Sequence, residues 1–145
     1  MFLNASAAVA ILTNEPVAQR LSRELENAGR PVLYSSLVVY ETVVSIAKKV
    51  TVLRLGDHQP IPPGIFDEVE RQVLAFLAEV GAVEMPLDMG LHKFALNAAR
   101  RYGRGTGHPA RLNFGDCFSY ACAKSAGVPL LFTGDDFIHT DIDVA

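Results

Sequence analysis

Apolar residues in this chain form short runs, separated by longer stretches in which they recur at helical spacing. Phe2-Leu3 reads as a short buried strand that runs straight into a helix of small and branched residues, Ala7 to Leu12. Val17, Leu21, Leu25 and Ala28 fall at i, i+4, i+8 and i+11, one stripe of a helix that opens near Asn14. Pro16 suits its first turn and Gly29 its end. Val32-Leu33-Tyr34 is a second strand, and Ser35 or Ser36 caps the helix that follows, Leu37 to Val50. Phe66, Val69, Val73, Phe76, Leu77 and Val80 mark a long amphipathic helix closed by Gly81. Val83-Glu84-Met85 is a third strand. Leu91 to Arg101 and Phe114 to Ser125 are helical, and Val128-Pro129-Leu130-Leu131-Phe132 is the last strand.

Two breakers interrupt this order. Gly56 to Gly64 holds three prolines in four residues, which neither a helix interior nor a central strand tolerates, so it reads as a surface loop. Tyr102 to Pro109 carries Gly103, Gly105 and Gly107 without nucleotide-loop spacing, and reads as a flexible loop. There is no internal repeat, so residues 1–145 are expected to form one domain. Strands alternating with helices imply right-handed crossovers and a mostly parallel sheet with helices on both faces. The expected fold class is therefore α/β, as a three-layer α/β/α sandwich.

Half of the 145 residues are hydrophobic and 20% are charged, which excludes a disordered tail. The net charge of −3 argues against wholesale non-specific binding of nucleic acid, while leaving room for a local basic face. Cys117 and Cys122 fit no zinc spacing and no disulfide framework. They read as small core residues of a reduced, cytoplasmic protein. No run of 18 apolar residues occurs and Met1-Phe2-Leu3-Asn4-Ala5-Ser6 lacks the basic n-region of a signal peptide, so neither a membrane span nor a secretory signal is expected.

In open parallel sheets, ligands bind beyond the carboxyl ends of the strands. Asn4 follows the first apolar run, and Glu41 lies one turn into the helix after the second. Asp116 opens the helix at Asn113-Phe114-Gly115, and Asp135 and Asp136 follow the last strand. Glu41 carries the most information, because its near neighbours on the helix are apolar or hydroxyl-bearing, and burying a lone carboxylate is costly. Each acid also has a plainer reading. Glu41 could occupy the one exposed strip of its helix, Asp116 could be a first-turn acid, and Asp135 and Asp136 could belong to a Gly-Asp turn. Their joint placement carries the argument. Converging carboxylates without histidine or cysteine form an oxygen site for Mg²⁺ or Mn²⁺, suited to phosphodiester hydrolysis.

Between Met89 and Gly115 there is no acid, while Lys93, Arg100, Arg101, Arg104 and Arg111 all occur. Arg100, Arg101 and Arg104 are the candidates for meeting a phosphate-backbone substrate. The plainer alternatives are a solvated face or a protein interface. Ser6 lies two residues after Asn4, where its hydroxyl could support a ligand. His58, His92, His108 and His139 show no metal spacing.

Two segments carry a resemblance. Leu112-Asn113-Phe114-Gly115-Asp116-Cys117-Phe118-Ser119-Tyr120-Ala121 is followed by Pro129-Leu130-Leu131-Phe132-Thr133-Gly134-Asp135-Asp136-Phe137. With Phe2-Leu3-Asn4-Ala5-Ser6-Ala7 and Tyr40-Glu41-Thr42, they resemble PIN-domain ribonucleases, specifically toxins of the VapC type from bacterial toxin–antitoxin pairs. The resemblance covers nearly the whole chain. It implies a PIN-like α/β/α sandwich, Mg²⁺- or Mn²⁺-dependent endoribonuclease activity, and inhibition by a cognate antitoxin. It also implies a homodimer or a toxin–antitoxin hetero-oligomer. By position, Glu41, Asp116 and Asp136 match the acidic site, Asp135 is a neighbour that shares the fourth role, and Asn113 orients Asp116.

Position 4 departs from the pattern. The family expects aspartate there, and this chain has Asn4. An amide offers one neutral oxygen and an NH₂ donor where a cation needs an acceptor. A lost unit charge at ~4 Å is worth up to ~4 kcal/mol at an effective dielectric of ~20. The resemblance therefore implies a disarmed or weakened ribonuclease. The alternative is a non-catalytic PIN-like module that binds RNA or an antitoxin.

Overall fold

Four two-residue strands organise the computed structural model, which describes residues 1–29 and 31–145. They are β1 (Phe2–Leu3), β2 (Leu33–Tyr34), β3 (Val83–Glu84) and β4 (Leu130–Leu131), all parallel, in the order β3-β2-β1-β4. The first strand of the sequence is thus central in the sheet. Six helices fill the connections: α1 (Ala5–Leu12), α2 (Ala18–Glu26), α3 (Ser36–Leu55), α4 (Pro63–Glu79), α5 (Leu91–Tyr102) and α6 (Phe114–Ala126).

Two-residue strands suffice because each points one side chain to each face. Phe2 aligns with Leu130 and Leu3 with Leu131. Phe2 and Leu130 enter a core shared with α5 and α6, including Leu91, Ala95, Ala98, Tyr120 and Ala121. Leu3 and Leu131 enter the opposite core, with Leu21, Val43, Ile46, Val69 and Val73 from α2, α3 and α4. Two cores on two sides of one sheet make the three-layer α/β/α sandwich. The outer edge of β4 meets the C-terminal segment, where the Ala145 N–H donates to the Leu130 carbonyl at 3.1 Å.

Several element boundaries differ from the sequence reading. α1 starts at Ala5, since Asn4 is its N-cap. α2 spans Ala18–Glu26, inside the expected limits, because Glu15-Pro16-Val17 forms a turn ahead of it. Pro63 and Gly64 belong to α4 rather than to the loop, because a proline in the first turn gives up no needed N–H. α3 continues past Val50 to Leu55, where the Arg54 guanidinium donates two 3.0 Å bonds to the Glu68 carboxylate of α4. Ser35 does stand at the N-cap of α3, but its side chain makes no capping bond. Its buried hydroxyl faces the Cys122 thiol, whose proton affinity burial raises, to about 11.

The segment expected as a flexible loop is a hydrogen-bonded turn. Gly103 bridges to Leu112, with Arg104 N–H on the Leu112 carbonyl and Leu112 N–H on that of Tyr102. Cys117 and Cys122 are buried and free, as core residues. Among the described residues, no helix is long and apolar enough to cross a membrane.

Candidate active site

The carboxyl end of β1 delivers Asn4, which is 2% exposed, to the edge of the sheet. Its backbone N–H donates to the Leu131 carbonyl at 2.9 Å, joining it to β4. Its Oδ1 accepts the Ser6 N–H at 2.8 Å and so caps α1. Asn4 therefore serves as a helix cap at the position where a ligand was expected.

Asn4, Ser6, Glu41, Asn113 and Asp116 line one cavity of about 300 Å³, together with Ser45 and Lys49. Residues from β1, α3 and the start of α6 thus converge. Asp116 sits at the third position of α6 in a reciprocal cap. The Asn113 side chain accepts the Asp116 N–H at 2.9 Å, and Asp116 Oδ2 accepts the Asn113 N–H at 2.8 Å. Asn113 thus contacts Asp116 twice, through its backbone N–H and through its side-chain oxygen.

Burial pushes the Asp116 carboxyl above its ordinary range, the Asn113 N–H counteracts this, the Asp136 charge adds to it, and Arg104 opposes it. Glu41 is likewise raised, first by burial and then by the Asp116 charge. The Glu41 carboxylate lies directly over Gly115, where a β-carbon would come 1.9 Å from Oε1. Only a residue without a side chain lets Glu41 approach the start of α6.

Asp135 and Asp136 are exposed and lie outside the cavity wall. Asp136 acts on Asp116 through its charge alone. Ser6 Oγ accepts the Thr133 N–H at 3.1 Å and ties down the loop that carries both acids. Among the described residues, no group of three or more His, Cys, Asp or Glu side chains is assembled to hold an ion. The donors that do converge are two carboxylates and one amide oxygen. This set suits Mg²⁺ or Mn²⁺, since Mg²⁺ commonly takes one or two carboxylates and keeps several waters.

The three candidate arginines separate. Arg104 approaches Asp116 closely enough to oppose its raised proton affinity, and its Nε donates to the Arg111 carbonyl at 3.1 Å. Arg101 instead pairs with Asp141 at 3.3 Å and lies over the Tyr102 ring. Arg100 is exposed on α5.

Sequence reasoning missed Lys49, Ser45 and Gly115. Ser45 and Lys49 follow Glu41 at i+4 and i+8, a spacing that already placed them on its face. Lys49 also forms an ion pair with Glu15 at the cavity rim.

Comparison with known proteins agrees with this architecture. The model of the PIN domain family matches residues 1–143. A VapC ribonuclease of Rhizobium meliloti is 36% identical over 97% of this chain and 98% of its own. Ribonuclease VapC42 of Mycobacterium tuberculosis is 38% identical over 98% of this chain and 96% of its own. The crystal structure of Mycobacterium tuberculosis VapC20, described as a sarcin-ricin loop cleaving toxin, superposes with a TM-score of 0.67. That likeness covers 99% of this chain and 97% of the other at 16% identity, and is one of fold.

Proposed function

The chain belongs to the PIN domain family, and from that premise we propose that it is a metal-dependent endoribonuclease toxin of a type II toxin–antitoxin pair. The observation that carries this reading is the convergence of Glu41 and Asp116 on one cavity beside Asn4. Glu41, Asp116 and the Asn4 oxygen would hold Mg²⁺ or Mn²⁺. Once bound, such a cation supplies Lewis-acid polarisation of a phosphodiester and a lowered pKa for water.

The protein's own residues prepare that site. The Asn113 N–H holds one Asp116 oxygen in place. Gly115 admits Glu41 to the start of α6. Ser6 fixes the loop bearing Asp135 and Asp136, and the charge of Asp136 reaches Asp116 from there. Arg104 presents a positive charge beside the acids, where a phosphate backbone would run. Burial raises both carboxylates, with the Asp116 charge adding to it at Glu41 and the Asp136 charge adding to it at Asp116, a strain that a bound cation would relieve. The resulting partners are RNA and a cognate antitoxin, in a homodimer or a toxin–antitoxin hetero-oligomer in the cytoplasm.

A second reading, a non-catalytic module that holds RNA or an antitoxin, is favoured by Asn4. Its amide leaves the site one charge short, and its oxygen is already engaged by Ser6.

The deciding experiment incubates labelled RNA with the chain, with Asn4→Asp, and with Glu41→Gln and Asp116→Asn, in Mn²⁺ or in chelator. Cleavage that needs the cation and disappears in the last two variants supports the nuclease. Equal cleavage by all four overturns the site assignment. RNA binding without cleavage in both the native chain and Asn4→Asp establishes the second reading.

A further inference from the structure

Beside the acidic cavity, between α5 and α6, runs a second concavity of about 580 Å³. Asn113 lines both, so the groove and the acidic site adjoin. The groove is largely apolar at its base, with Leu112 and Cys117 buried there. Phe114, the first residue of α6, stands on its wall 70% exposed. That is an unusual expenditure of aromatic surface two residues from Asp116. Its ring leans on Phe118, with centroids 5.0 Å apart and an interplanar angle of 50°, so one face is braced and the remainder is open.

We propose that this groove is a nucleobase platform, on which Phe114 stacks a base of single-stranded RNA flanking the scissile phosphate while Arg104 at the rim meets the adjoining backbone. The proposal rests on the ribonuclease reading and gives that site a means of holding its substrate.

The occupant follows from the combination of surfaces. A nucleotide offers an apolar π-face joined to an anion. The groove offers an exposed aromatic beside a cation, within a stretch from Met89 to Gly115 that holds no acid. Arg104 is oriented for this, since its Nε is tethered to the Arg111 carbonyl. Its charge also reaches Asp116, so the backbone held at Arg104 leads towards the carboxylates. Stacking is sequence-tolerant because every base has a π-face, so the platform supplies affinity and register rather than a base code.

The test uses the full chain in chelator, where no metal-dependent cleavage competes, and a short single-stranded oligoribonucleotide carrying 2-aminopurine. Binding is expected to quench the 2-aminopurine fluorescence. Phe114→Ala should abolish the quenching and weaken binding about tenfold, within the range for loss of one base stack. Phe114→Tyr should keep both. An abasic oligonucleotide should bind Phe114→Ala and the native chain alike. Unchanged quenching in Phe114→Ala overturns the proposal, as does an equal loss of affinity for the abasic probe. An altered oligomeric state in Phe114→Ala with unchanged RNA binding also overturns it, by assigning the groove to a protein contact. Failure to bind any RNA overturns the platform and the ribonuclease reading together. Quenching without metal-dependent cleavage leaves the platform standing and removes only the nuclease.

Discussion

The carboxylate of Glu41 rests on the α-carbon of Gly115, so closely that a β-carbon there would lie 1.9 Å from Oε1 and 2.3 Å from Oε2. The two residues come from α3 and α6, and the contact brings Glu41 beside Asp116. Gly115→Ala is therefore expected to expel Glu41 from its place. The displaced group is the far end of a flexible side chain, and alanine is the better helix former, so the fold should tolerate the change. We expect cleavage to fall about a hundredfold, roughly 2.7 kcal/mol in the barrier. Thermal unfolding should shift by only a few degrees. Cleavage rate and melting temperature, measured on the same preparation, check the pair of outcomes. A large loss of stability would mean that Gly115 serves the fold rather than the site.

Asp141 governs a different part of the molecule. It accepts the Tyr120 hydroxyl at 2.5 Å and pairs with Lys124 and Arg101, fastening the C-terminal segment to α5 and α6. The Tyr120 hydrogen bond, foremost, holds its carboxyl below the ordinary carboxylate range. A depressed folded-state value contributes stability that is present above the ordinary pKa and is lost as pH falls through the depressed one. Asp141→Asn should therefore destabilise the protein at pH 7 by about 1 kcal/mol, a modest figure because the group is half exposed. The difference should shrink as acid protonates the native carboxylate. Urea unfolding of both proteins from neutral pH down to about pH 3 would reveal it. A difference that stays constant across that range would show that the carboxylate charge is not what matters.

Arg101 and Arg104 should separate by function. Arg104→Ala is expected to weaken RNA binding and to lower the slope of log affinity against log salt by about 0.7, one single-strand phosphate contact. Arg101→Ala should leave that slope unchanged and lower the melting temperature, because its partners are Asp141 and Tyr102. Salt titrations of RNA binding beside thermal melts distinguish these outcomes. Identical slopes for Arg104→Ala and the native chain would remove Arg104 from the substrate path.

Much of this site is legible without coordinates, because the chemistry sits where apolar runs stop. Asn4, Glu41 and Asp116 each follow such a run or open the next helix, and a parallel sheet gathers those points at one edge. The Asn113-to-Asp116 spacing also matches a reciprocal helix cap. The sequence puts Asp135 and Asp136 just past the last strand, yet their exposure depends on how the chain turns after Gly134, which periodicity does not encode. Gly115 looked like part of a motif, since no spacing rule reveals which side chain will cross over a glycine from another helix. The last turn of α3 meets α4 through Arg54 and Glu68, a tertiary contact that periodicity does not encode. Lys49 was within reach of helical arithmetic from Glu41.

Asn4 remains the decisive position. Its Oδ1 caps α1 through the Ser6 N–H, a task that aspartate performs equally well. Asn4→Asp should therefore fold as the native chain does, with the added charge favoured by the helix N-terminus and opposed by Glu41 and Asp116. In the metal-free protein these effects offset in part, so stability should change little. With Mn²⁺ present, the new carboxylate adds a full charge to a set that has only two at the cavity wall. We expect tighter Mn²⁺ binding and a rise in RNA cleavage of at least about a hundredfold, roughly 2.7 kcal/mol in the barrier. Calorimetric Mn²⁺ titration reads the first and an RNase assay the second, with Asp116→Asn as the inactive control. If Asn4→Asp binds Mn²⁺ and cuts RNA no better than the native chain, position 4 acts only as a helix cap. The donor set then reduces to Glu41 and Asp116.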